Sequence, residues 1–117
     1  MRKYAALLSL LALLALGACG DLPPERRLEL VVTAGGYAPG QLAGQVGEQI
    51  FIRLLNSDTI AHSLSVELPS GTRTVSADPG KDVVLAISAR DAGTFRLYCV
   101  IPGHTETGTL LITAPAN

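Results

Sequence analysis

The sequence predicts an all-β protein, a Greek-key β-sandwich of seven to eight short strands. Apolar residues recur at every second position in several short segments, which is the period of a strand with one buried face. Turn-forming glycine, proline, asparagine and aspartate separate these segments, and no stretch has the period of an amphipathic helix. Many short strands with closely spaced turn signals favour a sandwich.

The N-terminal segment is expected to be removed from the mature protein. Arg2 and Lys3 precede an apolar run at 5–16 that only Ser9 interrupts and that is too short to span a bilayer, so residues 1–18 are predicted to be a signal peptide. The end of this segment, Leu-Gly-Ala-Cys, resembles the lipobox of bacterial lipoproteins, which implies lipidation of Cys19. The alternative is an ordinary signal peptide in which Cys19 is incidental.

These features predict an extracytoplasmic domain of the bacterial cell envelope, anchored to the membrane by lipid. Residues 19–27 contain two prolines and are predicted to be an extended tether, followed by one domain at 28–117. Without Arg2 and Lys3 the mature chain is acidic, with a net charge of about −3, and it has no basic cluster beyond Arg26-Arg27. Nucleic acid is therefore not an expected partner.

The first half of the domain contains three predicted strands. Residues 28–33 form an apolar run that ends at the Gly- and Pro-rich turn 35–40. Residues 41–46 have a weaker strand pattern. In 50–55, Ile50, Ile52 and Leu54 share one face and are predicted to be buried.

The second half continues this alternation after the Asn56-Ser57-Asp58 loop. Val83, Leu85 and Ile87 share one face of their strand, and Asp-Pro-Gly at 78–80 and Asp-Ala-Gly at 91–93 are turn signals. The predicted strands here are 62–68, 72–76, 82–89, 94–100 and 110–113.

The last part of the domain places a thiol beside an imidazole. Because alternate residues of a strand share a face, Cys99 is predicted to point inward with Phe95 and Leu97. The simplest interpretation of Cys99 is a small buried hydrophobic residue. His104, however, follows the Pro102-Gly103 turn, so its ring can fold back over the sulfur. We therefore expect the two side chains to share a pocket.

The second histidine, His62, opens a strand, where a single histidine is more often a satisfied polar residue than a ligand. Two imidazoles and one thiolate are nevertheless the ligand set of trigonal copper sites used for electron transfer. Backbone N–H groups near Asn56-Ser57 and in the loop after Cys99 are expected to donate hydrogen bonds to the sulfur.

Several short patterns together carry a family resemblance over residues 30–113. They are Tyr-Ala-Pro at 37–39, Gly47 before the Ile-Phe-Ile strand, the Asn56 to His62 loop, Ala-Gly-Thr-Phe at 92–95 and, most specifically, Cys-x-x-Pro-Gly-His at 99–104. The chain resembles the cupredoxins, small blue-copper proteins with the Greek-key fold. The resemblance implies one copper ion per domain, held by His62, Cys99 and His104, and single-electron exchange with transient redox partner proteins.

The chain departs from the family pattern at the weak axial ligand. Its only methionine is Met1, so the usual axial thioether is absent. The candidates that remain are the Ala61 carbonyl oxygen, the Glu106 carboxylate and Thr109, and a three-coordinate site is the further alternative. Relatives that have the methionine often carry an acidic residue here too, which favours a solvent-exposed structural role for Glu106.

Other classes of function use the same residues. A Cys99–His104 nucleophile pair is disfavoured because parity buries the sulfur and no third catalytic group is identifiable, so an enzyme is not expected. A copper carrier or storage module and a metal-free structural sandwich remain open, and zinc could occupy the same three ligands.

Overall fold

The computed structural model describes residues 21–115, and within them it has nine β-strands and no helix. The strands are β1 (Glu25–Thr33), β2 (Gly36–Ala38), β3 (Gln41–Gln45), β4 (Gln49–Asn56), β5 (His62–Leu68), β6 (Gly71–Ala77), β7 (Asp82–Ser88), β8 (Gly93–Tyr98) and β9 (Thr107–Thr113). The described part of the chain holds no helix of the length and hydropathy that crossing a bilayer requires. The predicted signal peptide and Cys19 lie outside the described residues.

The strands form two sheets. One has the order β2-β1-β4-β7 and the other has the order β3-β9-β8-β5-β6. Neighbours are antiparallel except β1 with β4 and β3 with β9, which are parallel. The predicted β-sandwich is confirmed.

The core lies between the sheets and is built from the alternating residues that the sequence indicates. Ile50, Ile52 and Leu54 of β4 have no exposed surface, and Leu85 and Ile87 of β7 are nearly as buried. The facing sheet contributes Leu42, Leu64, Val66, Leu97, Leu110 and Ile112. These strands therefore present apolar side chains to the opposite sheet, an arrangement that removes apolar surface from water.

The first strand begins at Glu25, three residues before the predicted start at 28. Arg26 pairs with Ile50 in the β1–β4 ladder, and its side chain binds the buried carboxylate of Glu48 at 2.8–2.9 Å. The backbone N–H of Gln49 donates to the Pro24 carbonyl oxygen. These pairings extend the strand into the segment predicted to be tether.

A short strand, β2, lies where the sequence predicts only a turn. Its three residues pair with the end of β1, with Val32 opposite Tyr37. Three residues are too few to show a period, so the sequence gives no strand signal here. The added strand raises the total from the predicted seven or eight to nine in the described chain.

One end of the sandwich collects the segments that carry the candidate ligands. At this end β4 finishes at Asn56, β5 begins at His62, β8 finishes at Tyr98 and β9 begins at Thr107. The loops 57–61 and 99–106 therefore lie side by side. The start of β1 lies at the opposite end, because Glu25 pairs with Gln49, the first residue of β4.

Candidate metal centre

Four potential ligand side chains meet at this end of the sandwich: His62, Cys99, His104 and Glu106. Their ligand atoms all lie within 4.8 Å of one another. The Cys99 Sγ is 3.6 Å from the His104 Nδ1, and the two imidazole rings meet edge to face with centroids 4.9 Å apart. The structure thus brings together the three residues that the sequence predicts as ligands, although His62 precedes Cys99 by 37 positions in the chain.

Asn56 holds the loop that leads to His62. Its side-chain Nδ2 donates to the carbonyl oxygens of Ile60 and Ala77, at 2.8 and 3.0 Å, and its Oδ1 accepts from the backbone N–H of Asp58 at 2.9 Å. Asn56 is fully buried, so these bonds replace water completely. They close the 57–61 loop and place His62 at the start of β5.

Asp58 orients the His62 ring from outside the cluster. Its Oδ2 lies 2.7 Å from the His62 Nε2, on the ring edge opposite the Nδ1 that faces the cluster. The hydrogen bond with His62, together with that from the Thr59 N–H, holds the pKa of the Asp58 carboxyl below its usual value. An ionised Asp58 favours the tautomer in which the His62 Nε2–H donates a hydrogen bond to it, and in that tautomer the Nδ1 lone pair is free to bind a metal.

Ser63 supplies the hydrogen bonds to the sulfur. The backbone N–H and the hydroxyl of Ser63 lie 3.4 and 3.3 Å from the Cys99 Sγ, and the Val100 N–H donates to the same hydroxyl at 2.9 Å. The predicted donors near Asn56-Ser57 are wrong: the Ser57 N–H donates to the Val32 carbonyl oxygen instead. Hydrogen bonds to sulfur stabilise the thiolate form, which is the form that binds metal.

The Pro102-Gly103 turn presents His104 to the sulfur, as predicted from the sequence. Gly103 has a φ of +84°, a left-handed conformation that a side chain would oppose, and the His104 N–H closes the turn by donating to the Ile101 carbonyl oxygen. The His104 side chain is 15% exposed, whereas that of His62 is 2% exposed. His104 is therefore the ligand side chain closer to solvent.

Glu106 is not the solvent-exposed residue that the sequence favours. Its side chain is 11% exposed, and its Oε2 lies 3.1 Å from the His62 Nδ1 and 3.3 Å from the His104 Nδ1. Burial alone would raise the pKa of Glu106, but its interactions with His62, Cys99 and His104 leave that pKa below the usual value. The prediction fails because sequence spacing does not show that the 99–106 loop folds inward at this residue.

The other two axial candidates have different surroundings. Thr109 lies within β9, where it is paired with Arg96 and its N–H donates to the Gly40 carbonyl oxygen. Ala61 directly precedes His62 and is half-buried. Glu106 is the axial candidate whose side chain reaches both histidine Nδ1 atoms.

Tyr37, on β2, contacts the site from the other sheet. Its hydroxyl donates to the Ser63 carbonyl oxygen. Burial, reinforced by the negative charges of Cys99 and Glu106, raises the pKa of Tyr37 far above its usual value, so the hydroxyl remains a donor. Sequence reasoning does not assign Tyr37, Ser63 or Asp58 to the site, because their roles depend on contacts between distant segments.

A sequence model of one protein family, the cupredoxin-like domain, matches residues 6–112. The chain belongs to this family. The resemblance to the cupredoxins that the sequence motifs predict is thereby confirmed. No curated protein matches the chain.

Solved structures share this cupredoxin-like fold at low sequence identity. Auracyanin B has a TM-score of 0.67 and 16% identity over 80% of this chain and 92% of its own. Auracyanin A, a "blue" copper protein from Chloroflexus aurantiacus, has a TM-score of 0.65 and 17% identity over 75% of this chain and 98% of its own. A copper-containing nitrite reductase from Thermus scotoductus has a TM-score of 0.62 and 23% identity over 80% of this chain, but over only 28% of the reductase.

Cupredoxin-like domains bind a single copper ion, and the residues present here fit one. The cluster offers two imidazole nitrogens and one sulfur, and such soft and intermediate donors suit both oxidation states of copper. His62 and Cys99 are buried, Glu106 and His104 are mostly enclosed, and the polar contacts of His62, Cys99 and Glu106 limit their orientation. A metal would therefore meet ligands that are already in place.

Proposed function

We propose that this protein is a carrier of single electrons whose copper ion is held by His62, Cys99 and His104. The observation that carries the proposal is the convergence of two Nδ1 atoms and one Sγ within 4.8 Å at one end of a rigid sandwich. When bound, copper supplies a one-electron couple between its two oxidation states. The remaining properties of such a carrier come from the chain itself.

The chain limits how far the ligands move when the charge at the site changes. His62 is held by Asp58, and the Cys99 sulfur is held by Ser63. Backbone hydrogen bonds between neighbouring strands also hold this region, for example where His62 of β5 pairs with Ala77 of β6. Small ligand displacements mean a small reorganisation energy, which favours fast electron exchange.

The surface around His104 suits brief contact with a redox partner. Val100 and Ile60 are each 51% exposed, and the half-buried Ile101 and the exposed Pro102 lie between Val100 and His104 in the chain. A small apolar surface beside the more accessible ligand supports transient docking there. We propose that electrons enter and leave through this surface.

We do not propose catalysis. The Cys99 sulfur is buried and hydrogen-bonded, whereas a nucleophile must reach its substrate. The likeness to nitrite reductase covers about a quarter of that enzyme, so it supports a shared fold only. A copper carrier or storage module remains the second candidate, since it would use the same ligands.

Retention of copper through a redox cycle separates these functions. We expect the full chain, loaded with one equivalent of Cu(II), to be reduced by ascorbate and reoxidised by ferricyanide repeatedly, with its absorption returning each time. Copper content after desalting should stay at one per chain. Release of the reduced ion to a Cu(I) chelator in each cycle would favour the carrier or storage function, and failure to bind Cu(II) would leave a structural sandwich.

We also propose that the domain is tethered to an extracytoplasmic membrane surface through lipid on Cys19. β1 starts at the end of the sandwich opposite the metal centre, so a lipid on Cys19 would leave the candidate docking surface facing away from the membrane. Cys19→Ala should move the protein from the membrane fraction to the soluble fraction of fractionated bacteria. Equal membrane recovery of both proteins would contradict lipid anchoring.

A further inference from the structure

We propose that Glu106 is the fourth metal ligand and coordinates through Oε2. It would take the role that an axial methionine has in most cupredoxins. This inference rests on the proposed function, because it assumes that His62, Cys99 and His104 bind the same ion. It changes the expected chemistry of the site. A carboxylate is a hard anionic ligand, whereas a thioether is soft and neutral.

Three distances within the cluster, whose ligand atoms all lie within 4.8 Å of one another, are close to those of ligands that share one ion. The Glu106 Oε2 lies 3.1 and 3.3 Å from the two Nδ1 atoms, and the Cys99 Sγ lies 3.6 Å from the His104 Nδ1. A divalent ion bound tetrahedrally at roughly 2.0–2.3 Å separates neighbouring N, O and S ligands by roughly 3.3–3.6 Å. The carboxylate therefore needs little movement to join the other three ligands.

The contacts of His62 fit the same conclusion. In the tautomer that can bind a metal through Nδ1, the single N–H of the neutral ring is on Nε2 and donates to the Asp58 carboxylate, 2.7 Å away. The Nδ1 lone pair then faces the Glu106 Oε2, which is also an acceptor, at 3.1 Å. Two acceptors at this separation repel each other unless a cation lies between them.

The second histidine makes a shared metal ion the simplest cation. The same Oε2 also faces the His104 Nδ1, and the Glu106 side chain is 11% exposed, so water gives it little solvation. Protons satisfy both of these nitrogen–oxygen contacts only if each Nδ1 carries one. One metal ion satisfies both and also binds the sulfur.

The backbone holds Glu106 in this position. Its carbonyl oxygen accepts from the Cys99 N–H at 3.3 Å, and the next residue, Thr107, begins β9 opposite Tyr98. The first and last residues of the 99–106 loop are thus hydrogen-bonded to each other. The geometry of Glu106 relative to the sulfur is a property of the fold.

The charge balance predicts the functional consequence. A thiolate and a carboxylate neutralise a divalent ion but leave a monovalent ion with a net charge of −1, in a site largely closed to water. Glu106 should therefore stabilise Cu(II) relative to Cu(I) and lower the reduction potential. It should also strengthen binding of other divalent ions, such as Co(II).

Glu106→Gln tests the proposal, because it keeps the shape of the side chain and removes the charge. In the full chain carrying Cys19→Ser, we expect a higher reduction potential, an altered Cu(II) EPR spectrum and a Co(II) Kd at least about tenfold larger, a loss of the size found when partners of metal ligands are removed. Glu67→Gln, which removes an exposed carboxylate on β5, is the matched control and should change none of these quantities.

The outcomes separate this proposal from the proposed function. If the parent protein binds Cu(II) through sulfur and Glu106→Gln leaves potential, EPR spectrum and Co(II) affinity unchanged, Glu106 is not a ligand and electron transfer stands. If the parent protein binds no Cu(II), the proposed function itself fails. Should the variant not fold, X-ray absorption of the parent Cu(II) protein decides: one sulfur and three nitrogen or oxygen neighbours near 2 Å support the proposal, and only two such light neighbours overturn it.

Discussion

Replacing Cys99 with serine should abolish the intense visible absorption of the copper-loaded protein. This absorption arises when charge moves from a thiolate sulfur to Cu(II), and Cys99 is the only cysteine among residues 21–115. A serine hydroxyl is far more basic than a thiol and does not supply an equivalent anionic, polarisable ligand. The remaining histidines can still bind Cu(II), so we expect a pale complex with a larger copper hyperfine splitting in its EPR spectrum.

The experiment uses Cys19→Ser as its parent, so that Cys99 is the sole thiol in the chain. Cys19→Ser alone should keep the full absorption at one copper per protein. The double variant should lose essentially all of it and retain its β-sheet circular dichroism, because Cys99 lies beyond the end of β8 and its hydroxyl replacement still reaches Ser63. Persistence of the band in the double variant would show that sulfur at position 99 is not a ligand.

Asn56→Ala should be the most damaging polar substitution at the site end of the sandwich. It leaves the Ala77 carbonyl oxygen without its partner in a buried setting, and the Ile60 carbonyl oxygen and the Asp58 N–H without theirs in a partly buried one. One unsatisfied buried polar group costs about 1–3 kcal/mol, so we expect the free energy of unfolding of the metal-free protein to fall by about 2–4 kcal/mol. Urea denaturation of both proteins measures this difference.

The same substitution should weaken metal binding, because the loosened 57–61 loop carries Asp58 and leads directly into His62. A matched control is Ser88→Ala, which removes an exposed hydrogen bond to Gln49 at the opposite end of the same sheet. That change should alter the unfolding free energy by no more than about 0.5 kcal/mol. Equal stability of the Asn56 and Ser88 variants would refute the assigned role of Asn56.

Local sequence patterns predict most of the strands. Ile50, Ile52 and Leu54 alternate because their strand has one buried face, and the structure buries all three fully. The start of β1 at Glu25 could not be predicted in this way, since it depends on Arg26 meeting Glu48, a residue 22 positions away. The same limit applies to β2, whose pairing with β1 is all that defines it as a strand.

The candidate metal site also has one part that local sequence predicts and one part that depends on the fold. Cys99 and His104 are close along the chain, with a Pro-Gly turn between them, so their proximity follows from local geometry. His62 enters the same centre only because the sheet places β5 beside β8. From sequence, His62 is predicted as a ligand through the family resemblance. Coordination by all three residues remains a prediction for the metal-binding experiments.

The strand periodicity, the turn before His104, the family and the lack of a methionine ligand follow from the amino-acid sequence, because each is a property of residue identity and short-range spacing. The fold is needed to show that Ser63 hydrogen-bonds the sulfur, that Asp58 contacts one edge of the His62 ring and that Glu106 turns inward to face both histidines. These relations arise between segments brought together by sheet pairing. Their energies depend on distance and burial in space, which separation along the chain does not encode.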